Sequence, residues 1–112
     1  MIKVNYQDNN TVNLMSSISK HFNKKHSYNE LSYFKEGLDA DNVILIVIDG
    51  LGFEFLSSQK NLFIKKHLKQ KLQVPFIPTT ACSNMTFLTG YPPAQHGVVG
   101  WKNVFKRNRF YF

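Results

Sequence analysis

Cysteine is nearly missing from this chain: Cys82 is the only one among 112 residues. A single cysteine cannot form an intrachain disulfide, so the sequence predicts a protein of a reducing compartment. The first ten residues, MIKVNYQDNN, lack the apolar core of a secretory signal peptide. No apolar run approaches the ~20 residues that a membrane-spanning helix needs. Together these deficits favour a cytoplasmic protein without a membrane partner.

Acidic residues are also scarce. Seven Asp and Glu stand against fourteen Lys and Arg, which gives a formal charge of +7. Such a surface attracts anions, including phosphate esters, nucleic acid and acidic lipid. Only the cluster from Lys102 to Arg109 is interleaved with aromatic residues. Because no nucleic-acid recognition motif accompanies it, a solvated surface is favoured, and a small nucleic-acid-binding module stays open as an alternative.

The amino-terminal 42 residues predict a helical leader. Apolar residues recur at helical spacing from Val12 to Phe22, and Asn10 or Thr11 is suited to cap the helix. A basic cluster at residues 23–26 marks its end. Residues 27–42 predict a connector with one helical turn at 31–34, closed by Gly37.

Two strands alternate with two helices in the rest of the chain. Val43–Ile48 has no polar face, which is typical of a strand covered on both sides in a parallel sheet. Helical spacing follows up to about Lys71, and residues 72–77 predict a second, edge strand because they contain Pro75. A last helix opens at 78–80 and closes at Gly90. The sequence therefore predicts an α/β fold with a right-handed parallel βαβ core and flanking helices.

Asp49 and Thr80 are the residues with the most chemical information. Asp49 follows the first strand, at the sheet edge where ligands gather, and a carboxylate is a hard ligand for a divalent metal ion. The alternative is that Asp49 only begins the turn. Thr80 falls at a helix start, where a phosphate binds well, and its hydroxyl needs a metal to act as a nucleophile. The alternative is an ordinary helix cap.

Two further residues near this region have structural interpretations. Cys82 lies two residues after Thr80, and a small residue that packs the helix is favoured over a thiol nucleophile. His96 is interpreted as a histidine that fixes a loop through hydrogen bonds, in preference to a metal ligand.

Residues 43–56, VILIVIDGLGFEFL, and 78–101, PTTACSNMTFLTGYPPAQHGVVGW, together resemble the amino-terminal part of the type I phosphodiesterase/nucleotide pyrophosphatase family, in the alkaline phosphatase superfamily. The ordered motif is T-x8-T-G-x2-P-x2-H-G, starting at Thr80. The resemblance implies a metal-dependent hydrolase of phosphodiester or nucleotide substrates with two zinc ions. Asp49 matches a metal ligand, and Thr80 matches the nucleophile that also touches a metal.

The chain departs from the family's pattern at the group that binds the substrate phosphoryl oxygens. Eukaryotic members place an asparagine three residues after the nucleophile, where this chain has Ser83, with Asn84 one position later. Ser83 and Asn84 are therefore the substrate-binding candidates.

The family's remaining metal ligands, in Asp-x3-His, Asp-His and later His motifs, do not occur in the 112 residues. Two divalent ions need several protein ligands, and Asp49 with Thr80 cannot supply them. We therefore expect residues 1–112 to form a single partial domain: a helical leader (1–42), a metal and nucleophile segment (43–101) and a divergent basic tail (102–112). We expect this amino-terminal fragment to be inactive alone. The main alternative is the non-catalytic remnant of a degenerate gene.

Overall fold

Short helices joined by irregular segments make up the structure. The computed structural model of the chain describes residues 4–34, 38–60 and 63–102. A 3-10 turn at Ser32–Phe34 confirms the helical turn that the connector predicts. No helix in the described ranges is long and apolar enough to cross a membrane. The α-helices are α1 (Thr11–His21), α2 (Phe53–Ser58), α3 (Phe63–Lys66), α4 (Thr80–Thr89) and α5 (Pro93–His96).

Helix α1 begins as the sequence predicts, and Asn10 is its cap. The Asn10 side chain accepts hydrogen bonds from the Val12 and Asn13 backbone amides, which have no partner within the helix. Lys20 and His21 occupy the last turn, where cationic side chains complement the partial negative charge of the helix end.

The buried face of α1 is mostly polar, and hydrogen bonds engage most of its polar atoms, Thr11 Oγ1 and Asn13 Oδ1 excepted. Asn13 Nδ2 donates to the Tyr6 and Asn29 carbonyls at 3.2 and 2.9 Å. Ser16 Oγ donates to the Tyr28 carbonyl at 2.6 Å. Ser17 Oγ accepts from the Leu31 amide at 2.9 Å. These bonds fasten α1 to the segments before and after it, because a buried polar group without a partner is costly.

Helix α4 lies at the centre of the fold, and both α1 and α5 pack against it. Thr79 caps its amino terminus, and Gly90 closes it in the left-handed conformation with φ 76°. Both boundaries confirm the sequence prediction. Val12 of α1 with Cys82 and Thr86 of α4 are completely buried, so the core is small and includes a hydroxyl group.

The predicted parallel sheet does not form among the described residues. Val43–Ile48 has no regular secondary structure, and Ile44 and Ile46 are 84% and 75% exposed. Residues 72–77 make only an isolated parallel bridge, between Gln73 and Asn10. A strand requires a neighbour to take up its backbone hydrogen bonds, and the described part of the chain supplies none for 43–48. The structure is thus a small helix-rich domain.

The predicted helix that runs to about Lys71 is represented by two short helices, α2 and α3. Residues 61 and 62, which lie between them, are outside the described residues. So are Gly37, which was predicted to close the helical turn of the connector, and all of the basic tail after Lys102.

Candidate functional site

Asp49 lies in the turn that follows the aliphatic segment. Its Oδ1 accepts a hydrogen bond from the Gly50 amide at 3.0 Å. Gly50 has φ +74°, a conformation that glycine adopts without strain, and this sharp turn ends the aliphatic run at the carboxylate. The Asp49 side chain remains exposed, and its Oδ2 is available to other groups.

Thr80 is the first residue of α4, and its position follows from the cap beside it. Thr79 Oγ1 accepts from the Cys82 amide at 3.3 Å, and the Thr79 carbonyl accepts from the Ser83 amide at 2.9 Å. The Thr80 hydroxyl points to the turn that contains Asp49 and donates a hydrogen bond to Asp49 Oδ2 at 3.4 Å. The fold thus brings together the two residues that the sequence predicts to share a site, although they lie 31 positions apart.

Ser83 and Asn84 belong to the same site. They follow Thr80 by three and four positions, which places all three on one face of α4. A cavity of about 370 Å³ opens in front of this face. The cavity is lined by the four predicted site residues, by the turn after Asp49 and by neighbouring, mostly apolar residues: Val47, Ile48, Asp49, Gly50, Leu51, Gly52, Val74, Pro78, Thr79, Thr80, Ser83, Asn84 and Phe87.

A larger cavity of about 610 Å³ lies against residues 71–76 and has a different character. Apolar side chains such as Val4, Val74 and Phe76 line most of it, and its polar residues are Asn9, Lys71 and Gln73. None of the described residues that line it has a carboxylate or hydroxyl side chain, so they offer neither a hydroxyl nucleophile nor a hard anionic metal ligand. The smaller cavity is therefore the candidate active site.

The Asp49–Thr80 pair fits half of a metal site. A carboxylate oxygen and a hydroxyl oxygen 3.4 Å apart are both able to contact one divalent ion. A zinc site requires three or four protein ligands, and the described residues contain no group of three His, Cys, Asp or Glu side chains placed to hold a metal. The chemistry of the pair is thus suited to a metal, but its donor number is too low.

Cys82 and His96 have the structural surroundings that the sequence suggests. Cys82 is completely buried, and this burial raises the pKa of its thiol, which disfavours the nucleophilic thiolate. His96 contacts Thr86 Oγ1 through Nε2 at 3.2 Å and accepts from the Val98 amide through Nδ1 at 3.1 Å. Both nitrogens are engaged within the protein, as expected for a histidine that fixes a loop.

Two residues of the site were not singled out from the sequence. Within the predicted helix opening at 78–80, Thr79 supplies the cap, and its bonded hydroxyl distinguishes it from Thr80, the cap that the sequence offered as an alternative. Phe87 lines the cavity from the second turn of α4. Its spacing of seven residues from Thr80, two helical turns, is a signal that the sequence contained.

One of the comparisons with known proteins identifies a family. A family model described as type I phosphodiesterase/nucleotide pyrophosphatase matches residues 43–111, which is more than half of the chain and contains the whole Asp49–Thr80 region. The chain belongs to this family. No curated protein matches it, and no solved structure does.

Proposed function

We propose that Asp49 and Thr80 form the nucleophile half of a metal-dependent phosphodiesterase or nucleotide pyrophosphatase site. The observation that carries this proposal is the hydrogen bond from Thr80 Oγ1 to Asp49 Oδ2 at the start of α4. A hydroxyl that directs its proton to a carboxylate keeps its lone pairs free for an electrophilic phosphorus. Family membership supports phosphodiester or nucleotide substrates for this arrangement.

The amino terminus of α4 supports binding of the phosphoryl group. The first amides of a helix are unsatisfied and point outward, so they attract an anion. Here the Cys82 and Ser83 amides are used by Thr79, which leaves those of Thr80 and Ala81 nearest to the substrate. Ser83 and Asn84 extend polar side chains along the same cavity and are proposed to donate to the non-bridging phosphoryl oxygens. The net charge of +7 favours an anionic substrate.

In the proposed reaction, Thr80 Oγ1 attacks phosphorus in line with the leaving group. The new O–P bond forms as the old one breaks, the bonding electrons pass to the leaving oxygen, and the hydroxyl proton is lost to solvent. Water then hydrolyses the bond between Thr80 Oγ1 and phosphorus, which releases the phosphoryl group with its remaining substituent as the second product. A divalent ion held by Asp49 and Thr80 would lower the pKa of the hydroxyl and offset phosphoryl charge. Zinc is the ion that the family resemblance implies, with two ions in the complete site.

We further propose that the complete site takes its remaining ligands from outside the described residues. In that setting the exposed aliphatic segment 43–48 becomes a strand of the parallel sheet of an alkaline-phosphatase-like fold. Its six apolar residues match a strand buried on both sides, and its exposure here is costly. Because the described residues bring only two candidate metal ligands together at this cavity, we expect the 112-residue chain to bind zinc weakly and to lack steady turnover. The single buried cysteine favours a cytoplasmic location.

Covalent labelling tests the role of Thr80 without requiring turnover. The chain is incubated with zinc and bis(p-nitrophenyl) phosphate, and peptides are then mapped by mass spectrometry. We expect slow addition of one nitrophenylphosphoryl group to Thr80, with no more than about one nitrophenolate released per chain, because a single displacement needs only an activated nucleophile.

The labelling experiment has three informative variants. Thr80→Ala should remove the adduct, Thr80→Ser should retain it, and Asp49→Asn should slow its formation by roughly tenfold or more through loss of the metal ligand. An adduct on lysine alone, or none on the wild-type chain, would refute the assignment of Thr80. Steady turnover by the wild-type chain would instead refute the half-site.

Neither alternative function has a supporting observation of its own. The nucleic-acid module depends on the basic cluster from Lys102 to Arg109, and all of it except Lys102 lies outside the described residues. A degenerate, non-catalytic product predicts that Thr80 never reacts, and the labelling experiment decides that point.

A further inference from the structure

A chain of hydrogen bonds connects His96 to the interior of helix α4. The Val98 amide donates to His96 Nδ1 at 3.1 Å. His96 Nε2 lies 3.2 Å from Thr86 Oγ1, and the same hydroxyl donates to the Cys82 carbonyl at 3.2 Å. Thr86 and Cys82 are both completely buried, so water does not replace these partners.

The partners at the two ends of this chain determine the tautomer of His96. A backbone amide is always a donor, so Nδ1 must accept and carries no proton. A backbone carbonyl only accepts, so the Thr86 hydroxyl proton points to Cys82. The Thr86 oxygen is then free to accept, and the neutral imidazole carries its proton on Nε2. Every donor in this series of bonds has one acceptor.

A second link connects the same loop to the other end of α4. Thr79 Oγ1 donates to the Val99 carbonyl at 3.2 Å, while it accepts from the Cys82 amide at 3.3 Å. Because the hydroxyl proton is directed to Val99, a lone pair faces the Cys82 amide and completes the cap. The position of residues 97–99 therefore affects the cap that precedes Thr80.

We propose that His96, as the neutral Nε2–H tautomer, is a positioning residue that holds loop 97–99 against α4 and thereby keeps the Thr79 cap and the Thr80 hydroxyl in place. The link to reaction at Thr80 rests on the proposed function, whereas the tautomer and the loop attachment do not. Burial lowers the pKa of His96, which is consistent with a neutral ring near pH 7. A proton on Nδ1 would face the N–H of the Val98 amide, and this hydrogen bond would be lost.

The tautomer is tested on the full 112-residue chain by nitrogen-15 NMR of the histidine rings near pH 7.5. We expect His96 to show a protonated Nε2 and an unprotonated Nδ1, with slow solvent exchange of the Nε2 proton. A protonated Nδ1, or a rapidly exchanging mixture of the two tautomers, would overturn the proposal without any variant being made.

Variants of Thr86 test the positioning effect. Thr86→Val removes the hydroxyl with little change of shape, and we expect a mixture of His96 tautomers, with hydrogen exchange of the Val98 and Cys82 amides accelerated roughly fivefold, the effect of about 1 kcal/mol. Thr86→Ser should restore both signals. Thr89→Val is the matched control, because Thr89 Oγ1 donates to the Met85 carbonyl in the same way but is exposed.

Labelling of Thr80 by bis(p-nitrophenyl) phosphate tests whether the contact between His96 and Thr86 affects the proposed reaction. If Thr80 is labelled in the wild-type chain, Thr86→Val should slow the labelling roughly fivefold, in parallel with the loss of amide protection. Unchanged exchange at Val98 and Cys82 in Thr86→Val would refute the positioning role. Absence of wild-type labelling would refute only the proposed function, since the tautomer and exchange results do not depend on it.

Discussion

Gly90→Ala is expected to destabilise the docking of α1 on α4 by roughly 3 kcal/mol. Gly90 has φ +76°, where an alanine costs about 1–2 kcal/mol. A Cβ atom at this position would lie only 2.7 Å from His26 Nε2 and 3.7 Å from Met15 Cβ. The His26 ring cannot easily withdraw, because it stacks on Tyr91 with centroids 5.1 Å apart. The clash adds about 1–3 kcal/mol, the usual cost of overpacking. Urea unfolding monitored by circular dichroism measures the loss.

A double-mutant comparison separates the two causes. In a His26→Ala background the clash disappears, so Gly90→Ala should then cost only the backbone term of about 1–2 kcal/mol. Gly100→Ala is the control, since a Cβ atom added at Gly100 would have no neighbouring atom within 4 Å and its φ is not in the left-handed region. Equal losses in both backgrounds would show that His26 does not confine Gly90.

Asn10→Ala should cost about 2 kcal/mol of unfolding free energy, the upper end for loss of a helix cap. Asn10 is completely buried, and its Oδ1 accepts from the Val12 and Asn13 amides at 2.8 and 3.3 Å. Its Nδ2 also donates to the Asn5 carbonyl. Removal of the side chain leaves the Val12 and Asn13 amides buried without a partner. The loss is measured by thermal unfolding, with helix content followed at 222 nm.

Two substitutions separate the capping hydrogen bonds of Asn10 from its hydrogen bond to Asn5 and from the effect of any asparagine-to-alanine change. Asn10→Asp keeps the acceptor for the helix amides but loses the donor to Asn5, so it should recover part of the stability. Asn42→Ala, at an exposed asparagine, should change the stability by less than about 0.5 kcal/mol. A loss for Asn10→Ala no larger than that control would contradict the cap assignment.

The start of α1 and both ends of α4 were predictable because they depend on local chemistry. Asn10 accepts hydrogen bonds from the first free amides of α1, and Gly90 adopts the left-handed conformation that ends α4. Both roles depend only on residues next to them in the chain. The Asp49–Thr80 pair was also predictable, since a carboxylate after an aliphatic run and a threonine at a helix start suit one site. Their hydrogen bond confirms the proximity and leaves their chemical roles as proposals.

Features that depend on distant contacts were not predictable. The aliphatic pattern of 43–48 indicates a buried strand, but a strand also needs paired neighbours, and the described residues provide none. The polar inner face of α1 violates the usual apolar pattern, and Asn13, Ser16 and Ser17 form hydrogen bonds with backbone groups elsewhere in the chain. The Thr86–His96 contact joins side chains ten positions apart, across a turn whose geometry the sequence does not specify.

The most direct test of the half-site is where a divalent ion binds. Mn²⁺ is added in small amounts to the nitrogen-15 labelled chain, since paramagnetic broadening locates even a weak site. We predict that the amides of Gly50, Thr80 and Ser83 broaden first, that Zn²⁺ reverses this, and that Asp49→Asn abolishes it, whereas Asp41→Asn, at an exposed acid outside the cavity, does not. Broadening centred elsewhere, or unchanged in Asp49→Asn, would contradict the assignment of Asp49 and Thr80 as a metal-binding pair.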